Sequence, residues 1–325
     1  MKVAYVGNFE PEHSTENHVY RALAHNDHEV MQFQENNRDR WSQLTASVGE
    51  FDMVLWTRTG WPPDVRASDE TQHGMMAAAR AAGVPVVGYH LDRWWGLNRT
   101  HEVHSEPFFK ADLVITADGD PSHQEAFENA GVNHHWMPPG VSLHECLRQP
   151  RLINEYAHDI IFVGSWMEYH KEWKYRLSLV HFLKKTYGDH GKKFGLYPRP
   201  GQHALRGQPL VDLYHSSKVV VGDSCLNGGI THYWSDRIPE TLGRRGFLIH
   251  PEVEGLREHF SPGEHLATYE LGNWDQLRAV IEEYLLDDER RNRIANQGQA
   301  HVLQNHTYEV RMQQLVKLLT DRGMI

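Results

Sequence analysis

One segment of the chain reads Ser235-Asp236-Arg237-Ile238-Pro239-Glu240-Thr241-Leu242-Gly243-Arg244-Arg245-Gly246-Phe247-Leu248-Ile249. It predicts a short helix over 238–244, because proline suits a first helical turn and Gly246 can end the helix. The apolar residues at 247–249 then predict a buried strand. A helix that runs through a glycine into a fully apolar strand is typical of an open α/β sheet.

The same alternation of strand and helix extends along the whole chain. Short apolar runs without polar alternation predict parallel strands buried on both faces, at 3–6, 53–56, 84–87, 113–115, 160–164, 194–197, 218–221 and 247–249, with a weaker candidate at 29–33. Helices are predicted between the strands and after the last of them, over 15–26, 69–82, 121–130, 170–187, 209–216, 238–244, 274–285, 287–303 and 308–320.

The alternation breaks once, at Met137-Pro138-Pro139-Gly140, and resumes at 160. At roughly 150 residues per domain, a chain of 325 residues suggests two domains. We therefore predict an α/β fold with two doubly wound, Rossmann-like domains, over 1–150 and 151–325, that face each other across a cleft. The last helix is predicted to pack back on the N-terminal domain. Ligands of such folds bind at the carboxyl ends of the strands.

Composition excludes several classes of protein. Hydrophobic residues make up 40% and charged residues 23% of the chain, which excludes disorder, collagen and coiled coil as the main state. No apolar run approaches the ~20 residues of a membrane span, and the first residues read as a strand. The only cysteines, Cys146 and Cys225, exclude a disulfide scaffold and favour a cytoplasmic location. The number of subunits cannot be derived from the sequence.

The net charge of −10 belongs to the first half of the chain. Residues 1–150 hold 11 Lys and Arg against 21 Asp and Glu, and the remainder is balanced. An acidic half repels phosphate backbones, which argues against long duplex DNA as a partner. An isolated basic strip around Arg93, Arg99 and Lys110 leaves that partner open.

The segment quoted first also contains candidate binding residues. Glu240 falls in the first helical turn, where backbone N–H groups attract an anion such as a diphosphate and a carboxylate can accept hydrogen bonds from ribose hydroxyls. Arg237 can neutralise phosphate charge, with Asp236 and Thr241 beside it. The alternative is that Glu240 complements the helix dipole and Arg237 pairs with Asp236.

These residues resemble a known family. The pattern Asp-Arg-x-x-Glu-x-x-Gly-x-x-Gly-Phe-Leu-Ile at 236–249, followed by Glu254-Gly255-Leu256 and 274–293, resembles the C-terminal domain of GT-B glycosyltransferases, in particular the CgeB-like group related to retaining family-four enzymes. The resemblance implies that Glu240 holds the ribose of a nucleotide-sugar donor. The family often has a second glutamate eight positions earlier, where this chain has His232.

A second donor segment lies at the end of a predicted strand, in Phe162-Val163-Gly164-Ser165. Gly164 lets the backbone approach a ligand, and Lys171 follows. Family-four enzymes commonly carry Gly-Arg and then Lys-Gly here, and the resemblance implies that Lys171 grips the donor diphosphate. Ser165 replaces the arginine, so Arg237 is expected to supply that charge. The alternative is a surface lysine at a helix start.

Two further segments point to the acceptor. His90 and Asp92 follow the strand predicted at 84–87, and related enzymes place a histidine there near the donor sugar. His90 is predicted to contact the reacting centre and Asp92 to act as base or to orient the acceptor hydroxyl, whereas Trp94 and Trp95 are predicted to stack on a sugar. The alternative is a buried histidine capped by Asp92, with two tryptophans in the core or at an interface.

The loop after the first predicted strand, at 7–17, has one glycine and three glutamates, which should repel phosphate. Ser14 reads as a helix N-cap, and His13 with Ser14 is assigned to acceptor contact or plain capping. Other motifs fail. His101-Glu102-Val103-His104 lacks the spacing of a zinc protease, and neither a dinucleotide-binding glycine motif nor a Walker loop occurs.

Together these features predict a glycosyltransferase that moves a sugar from a nucleotide sugar, expected to be a UDP-sugar, to an acceptor hydroxyl without a metal or other cofactor. Related sequences occur in bacteria and phages, where acceptors include surface polymers, proteins and modified DNA bases. The resemblance implies retention at the anomeric carbon, although Asp92 leaves inversion open. The alternatives are a nucleotide-sugar epimerase or hydrolase on the same fold and an inactive nucleotide-sugar-binding protein.

Overall fold

The structure is a computed structural model that describes residues 1–62, 64–91, 93–94, 100–165, 173–189, 191–199, 201–225 and 231–325. The chain divides into two compact units. The first comprises Met1–Pro138 together with Tyr308–Ile325, and the second comprises Pro139–Thr307. The chain therefore leaves the first unit between two prolines, at the break in the alternation, rather than after residue 150.

The first unit contains a parallel sheet of six strands. The strands are β1 (Lys2–Gly7), β2 (Glu29–Gln34), β3 (Met53–Trp56), β4 (Val86–Tyr89), β5 (Leu113–Thr116) and β6 (His134–Trp136). Their spatial order is β2-β1-β3-β4-β5-β6. The order reverses between β1 and β3, which is where an open parallel sheet leaves a crevice for a ligand at its carboxyl edge.

Helices connect these strands. They are α1 (Thr15–His25), α2 (Arg38–Ser47), α3 (Asp69–Ala82), α4 (Glu102–Ser105) and α5 (Pro121–Asn129), with short 3-10 turns at Val48–Glu50 and Pro107–Lys110. Four of the helices begin with a side-chain cap that satisfies a backbone N–H group of the first turn, from Ser14, Asn37, Ser68 and Asp120.

The second unit contains a parallel sheet of five strands in the order β11-β10-β9-β7-β8. They are β7 (Ile160–Val163), β8 (Phe194–Tyr197), β9 (Val219–Val221), β10 (Leu248–Pro251) and β11 (Ala267–Tyr269). The helices of this unit are α6 (Leu143–Cys146), α7 (Arg176–Tyr187), α8 (Gly207–Ser216), α9 (Arg237–Gly243), α10 (Trp274–Leu285) and α11 (Asp288–Asn305), with 3-10 turns at Asn154–Tyr156 and Leu256–Glu258.

The last helix, α12 (Tyr308–Asp321), belongs to the first unit. Its buried residues Met312, Leu315 and Leu319 share one core cluster with Val19 and Leu23 of α1. Because both helices turn an apolar face to the same strands, burial of those faces stabilises the packing. The chain thus returns to its first unit after completing the second.

The two sheets confirm the predicted α/β fold of two doubly wound, Rossmann-like parts. The strands that the sequence predicts are buried, since every residue of β3, β4 and β5 and of β7, β8 and β9 lies inside. No helix in the described ranges combines the length and apolar character that crossing a bilayer requires.

Candidate functional site

Polar side chains gather where the strand order of the second sheet reverses, at the carboxyl ends of β7 and β9. We call this group the arginine cluster; it comprises Tyr214, Asp223, Arg176, Arg237 and Glu240. Gly164 follows β7 and Asp223 follows β9. Because these two strands are parallel neighbours, both residues lie at the same edge of the sheet. Ligands of open α/β sheets bind in the crevice at the carboxyl ends of the strands where the strand order reverses, so a ligand is expected here.

Arg237 is the centre of the arginine cluster. Its Nη1 donates to the Tyr214 hydroxyl at 2.9 Å and to Glu240 Oε2 at 2.7 Å. The side chains of Arg237 and Glu240 are 20% and 14% exposed, so a ligand can reach both. Burial raises the pKa of the Tyr214 hydroxyl, which therefore stays protonated. The guanidinium thus keeps its positive charge beside a neutral and an anionic partner.

The structure brings the two predicted donor segments together. A Cβ atom placed on Gly164 would lie 3.8 Å from Arg237 Nη2. Gly164, at the end of β7, therefore lies beside the guanidinium. Glu240 lies one turn from Arg237 on α9, so Gly164, Arg237 and Glu240 share one neighbourhood.

A second arginine in the cluster was not predicted. Arg176, the first residue of α7, donates from Nε to Asp223 Oδ2 at 2.6 Å and from Nη2 to Asp223 Oδ1 at 3.2 Å. Its Nη1 also donates to the Ser165 carbonyl at 2.9 Å. This bidentate pair ties the loop after β7 to the end of β9. The sequence signal was a polar residue, Asp223, directly after a valine strand and Gly222.

The helix terminus differs from the expectation for an anion site. Arg237 N donates to Ser235 Oγ at 3.3 Å, Ile238 N to Ser235 O at 3.4 Å and Glu240 N to Asp236 O at 2.8 Å, while Pro239 has no N–H. The first turn therefore already uses its donors.

Thr241 is completely buried, which removes its side chain from ligand contact, and Asp236 is exposed at the N-cap. Charge at this site comes from side chains.

His232 lies at the position where the family often has a glutamate, and it contacts a neighbouring loop. Its backbone N donates to Glu254 O at 2.8 Å, and its Nε2 lies 3.1 Å from Glu258 Oε1. The ring packs against Gly255, where a Cβ atom would lie 2.4 Å from His232 Cδ2. Gly255 has φ 87°, so the Glu254-Gly255-Leu256 motif provides both the turn and the space for this ring.

In the first unit, His90 directly follows β4 as predicted. Its ring centroid lies 4.9 Å from that of Trp94. Trp94 itself is wholly buried, packs edge-on against Phe109 at 4.9 Å, and donates its backbone N–H to Asp118 at 2.8 Å. The prediction that Trp94 stacks on a sugar is therefore wrong, because the ring is part of the core. Asp118, which holds it there, follows β5.

The loop after β1 is held by its own hydrogen bonds. Ser14 Oγ accepts from Asn17 N at 3.1 Å, which confirms the predicted N-cap of α1. Asn17 Nδ2 in turn donates to the carbonyls of Phe9 and Pro11, both at 2.9 Å. His13 lies half-buried in this loop with its ring 6.4 Å from that of His18. Hydrogen bonds within the loop thus stabilise it, and the Ser14 hydroxyl caps α1.

Two buried glutamates at the carboxyl edge of the first sheet escaped prediction. Glu35 Oε1 accepts from Trp56 Nε1 at 2.8 Å and Glu35 Oε2 from Thr59 N at 2.9 Å. Burial raises the pKa of Glu35 to about 7, although these hydrogen bonds oppose the shift. Burial likewise raises the pKa of Glu16, which accepts from Thr59 Oγ1 at 3.3 Å. Their sequence signal, a charged residue just after a strand or in a first helical turn, is weak.

Several predicted residues lie outside the described residues, namely Lys171, Asp92, Trp95 and, in the basic strip, Arg99. The strip itself is not continuous, because Arg93 is buried with 2% exposure while Lys110 is exposed. Among the described residues, no three His, Cys, Asp or Glu side chains are grouped so that they could hold a metal ion.

Solved structures share this architecture at low sequence identity. Anabaena Alr3699/HepE in complex with UDP and glucose is 13% identical and aligns over 99% of this chain and 100% of its own, with a TM-score of 0.60. An alpha-glucosyltransferase in complex with UDP and a 13-mer DNA containing an A:G mismatch is 9% identical over 98% and 99%, with a TM-score of 0.62. Sucrose-phosphate synthase from Thermosynechococcus elongatus is 10% identical over 99% and 100%, with a TM-score of 0.60.

These likenesses identify the fold as GT-B. No curated protein matches the chain by sequence. A model of the glycosyl transferase-like family, however, matches residues 155–317, which is half of the chain and includes the whole arginine cluster. The chain therefore belongs to the glycosyl transferase-like family and is a GT-B glycosyltransferase.

Proposed function

We propose that the protein transfers a sugar from a nucleotide sugar, a UDP-sugar in the first instance, to an acceptor hydroxyl. The observation that supports this most directly is the arginine cluster, where Arg237 lies beside Gly164 and Glu240. HepE and the alpha-glucosyltransferase, which share the fold, were solved with UDP. In this proposal the C-terminal domain binds the nucleotide sugar and the N-terminal domain binds the acceptor.

Donor binding in this proposal depends on side-chain charge. A diphosphate needs cations and N–H donors, and the first turn of α9 has no unused backbone donor. Arg237 therefore carries the positive charge, with Lys171 as its proposed second cation. Glu240, which already orients Arg237 at 2.7 Å, accepts from the ribose hydroxyls with its remaining lone pairs.

The same charges assist the chemical step. When the bond between the anomeric carbon and the diphosphate breaks, negative charge develops on the departing nucleoside diphosphate. A guanidinium held in place by Tyr214 and Glu240 stabilises that charge without reorganising. His90 is proposed to contact the sugar, and Asp92 is proposed to orient or deprotonate the acceptor hydroxyl. We propose retention at the anomeric carbon and a reaction without a metal.

Thermal stabilisation by nucleotide sugars tests donor binding. UDP-, GDP- and ADP-sugars are added separately, and the melting temperature is followed. A ligand at 100 times its Kd stabilises the folded state by about 2.7 kcal/mol, which corresponds to a rise of several degrees. We expect one of the nucleotide sugars to produce this rise, and we expect Glu240→Gln and Glu240→Ala to abolish it.

Glu128→Ala is the matched control, since Glu128 is an exposed helical glutamate in the first unit. It should leave the rise unchanged. A rise of full size in Glu240→Ala would refute the ribose assignment. Product analysis then separates the reactions, since a transferase places the sugar on an acceptor, an epimerase or hydrolase alters the donor alone, and an inactive protein only binds.

A further inference from the structure

A groove on the second unit lies outside the arginine cluster. We call it the aromatic groove; it opens to solvent between the start of α7 and the start of α10 and has a volume of about 710 Å³. Its lining includes Tyr175, Phe182 and Trp274, with Glu270, Asn273 and Arg278 at its polar side. Sites for small ligands commonly range from about 300 to 1,000 Å³, so the aromatic groove can hold one or two sugar rings.

Two of the aromatic side chains stack on each other. The rings of Phe182 and Trp274 are stacked, with centroids 5.8 Å apart and planes 18° from parallel. Both side chains are only half-buried, so part of each ring remains exposed. Tyr175 closes another wall against Gly272, where a Cβ atom would lie 3.1 Å from its ring. Half-exposed aromatic faces combine apolar contact area with a fixed shape, which suits a flat apolar ligand face.

The polar side chains around these rings are suited to hydroxyl groups. Glu270 Oε2 accepts from Asn273 Nδ2 at 3.1 Å, which leaves the carboxylate with further acceptor positions. Arg278 lies above Phe182, with its guanidinium 5.8 Å from the ring centroid, and supplies several N–H donors. Acceptors and donors thus stand at the edge of an apolar surface, and a ligand with hydroxyl groups on its rim can satisfy both.

The charge of the lining decides between ligand classes. Two carboxylates, from Glu270 and Asp275, and one guanidinium, from Arg278, line the groove, and the Lys174 ammonium lies 5.7 Å from the centroid of the Tyr175 ring. Two positive charges thus balance two negative charges, so the lining gives a phosphate or sulfate no net attraction. A pyranose ring has an apolar C–H face and a rim of uncharged hydroxyls. We therefore propose that the aromatic groove binds a neutral glycan, with one pyranose ring stacked on Trp274 and its hydroxyls bound by Glu270 and Arg278. This site goes beyond the proposed donor binding and does not depend on it.

Isothermal titration of the 325-residue chain tests the proposal. The probes are neutral hexasaccharides of α-glucose, β-glucose and N-acetylglucosamine, with inorganic phosphate as the anionic comparison. We expect at least one hexasaccharide to bind and phosphate not to compete. Loss of the stacking ring in Trp274→Ala should weaken binding at least tenfold, and Glu270→Gln should weaken it to a smaller degree. Tyr20→Ala, which removes a half-buried tyrosine of the first unit, should bind as the wild type does.

Two measurements keep the outcome clear. Tyr175→Phe retains the ring and should bind normally, whereas Tyr175→Ala should not, so a folding defect in Trp274→Ala would not obscure the result. The thermal shift by nucleotide sugar should persist in every variant of the aromatic groove, which distinguishes failure here from failure of donor binding. The proposal is overturned if none of the hexasaccharides binds, if Trp274→Ala and Tyr175→Ala bind as tightly as the wild type, or if phosphate displaces the glycan.

Discussion

Replacing Gly298 with alanine should destabilise the second unit, although alanine is the better helix former. Gly298 is buried in α11, and a Cβ atom there would lie 2.5 Å from the carbonyl oxygen of His265. The turn that carries this carbonyl is fixed, because His265 N donates to Ser261 O at 2.9 Å and Gly263 N to Leu266 O at 2.7 Å. The neighbour is therefore backbone that cannot rotate away, and the helix itself must shift.

The magnitude follows from two opposing effects. Alanine gains about 1 kcal/mol over glycine in a helix interior, whereas overpacking a rigid neighbour costs about 1–3 kcal/mol. The 2.5 Å approach to backbone places Gly298→Ala at the upper end of that cost, so we expect a net loss of about 2 kcal/mol in the free energy of unfolding. Gly74→Ala is the matched control, since Gly74 is exposed in α3 with no atom within 4 Å of a new Cβ, and it should stabilise by up to about 1 kcal/mol.

Urea unfolding followed by circular dichroism at 222 nm measures both effects. Gly298→Ala should lower the midpoint and Gly74→Ala should raise it, with unchanged slopes. If Gly298→Ala were as stable as the wild type or more stable, while Gly74→Ala behaved as expected, the close packing of α11 on the 261–266 turn would be refuted.

Two pH-dependence predictions follow from buried groups in the two sheets. Burial raises the pKa of Glu35 to about 7, so the folded state favours the protonated carboxyl group. Relative to Glu35→Gln, the free energy of unfolding of the wild type should have its full value below pH 4.5 and should fall by roughly 3 kcal/mol as the pH rises through 7. Burial lowers the pKa of His250 to about 4, so the folded state favours the neutral imidazole. Relative to His250→Asn, the free energy of unfolding of the wild type should have its full value above pH 6.5 and should fall by a similar amount as the pH falls through 4. Urea unfolding at pH 4, 6 and 8 measures both; parallel profiles of wild type and variant would contradict the corresponding prediction.

Most of the fold could be predicted because its central strands are continuous apolar runs. The missed elements lie where that signal is weak. Strand β6 consists of His134-His135-Trp136 at one sheet edge, and β11 is only Ala267–Tyr269 at another. Helix α2 buries only Trp41 and Leu44, so its sequence shows little helical periodicity. Edge strands and shallow helices depend on their neighbours, which a local pattern does not contain.

The candidate site could be predicted only in part, for the same physical reason. Arg237 and Glu240 stand one helical turn apart, and a local pattern suffices to pair them. The approach of Gly164 to Arg237 joins residues more than 70 positions apart and needs the strand order of the sheet. Trp94 shows the reverse error, since its burial depends on Asp118 and Phe109, which come later in the chain. An aromatic residue after a strand is equally compatible with a core and with a binding surface.

The return of α12 to the first unit constrains how the protein is made. A ribosome that has released residues 1–138 has not yet supplied Met312, Leu315 and Leu319, so Val19 and Leu23 still lack their covering helix. The second unit, which is continuous in sequence, can close its core before the first. During synthesis the earlier half of the polypeptide must therefore wait for its final segment, and a nascent chain arrested before residue 308 should recruit chaperones through its uncovered α1 surface.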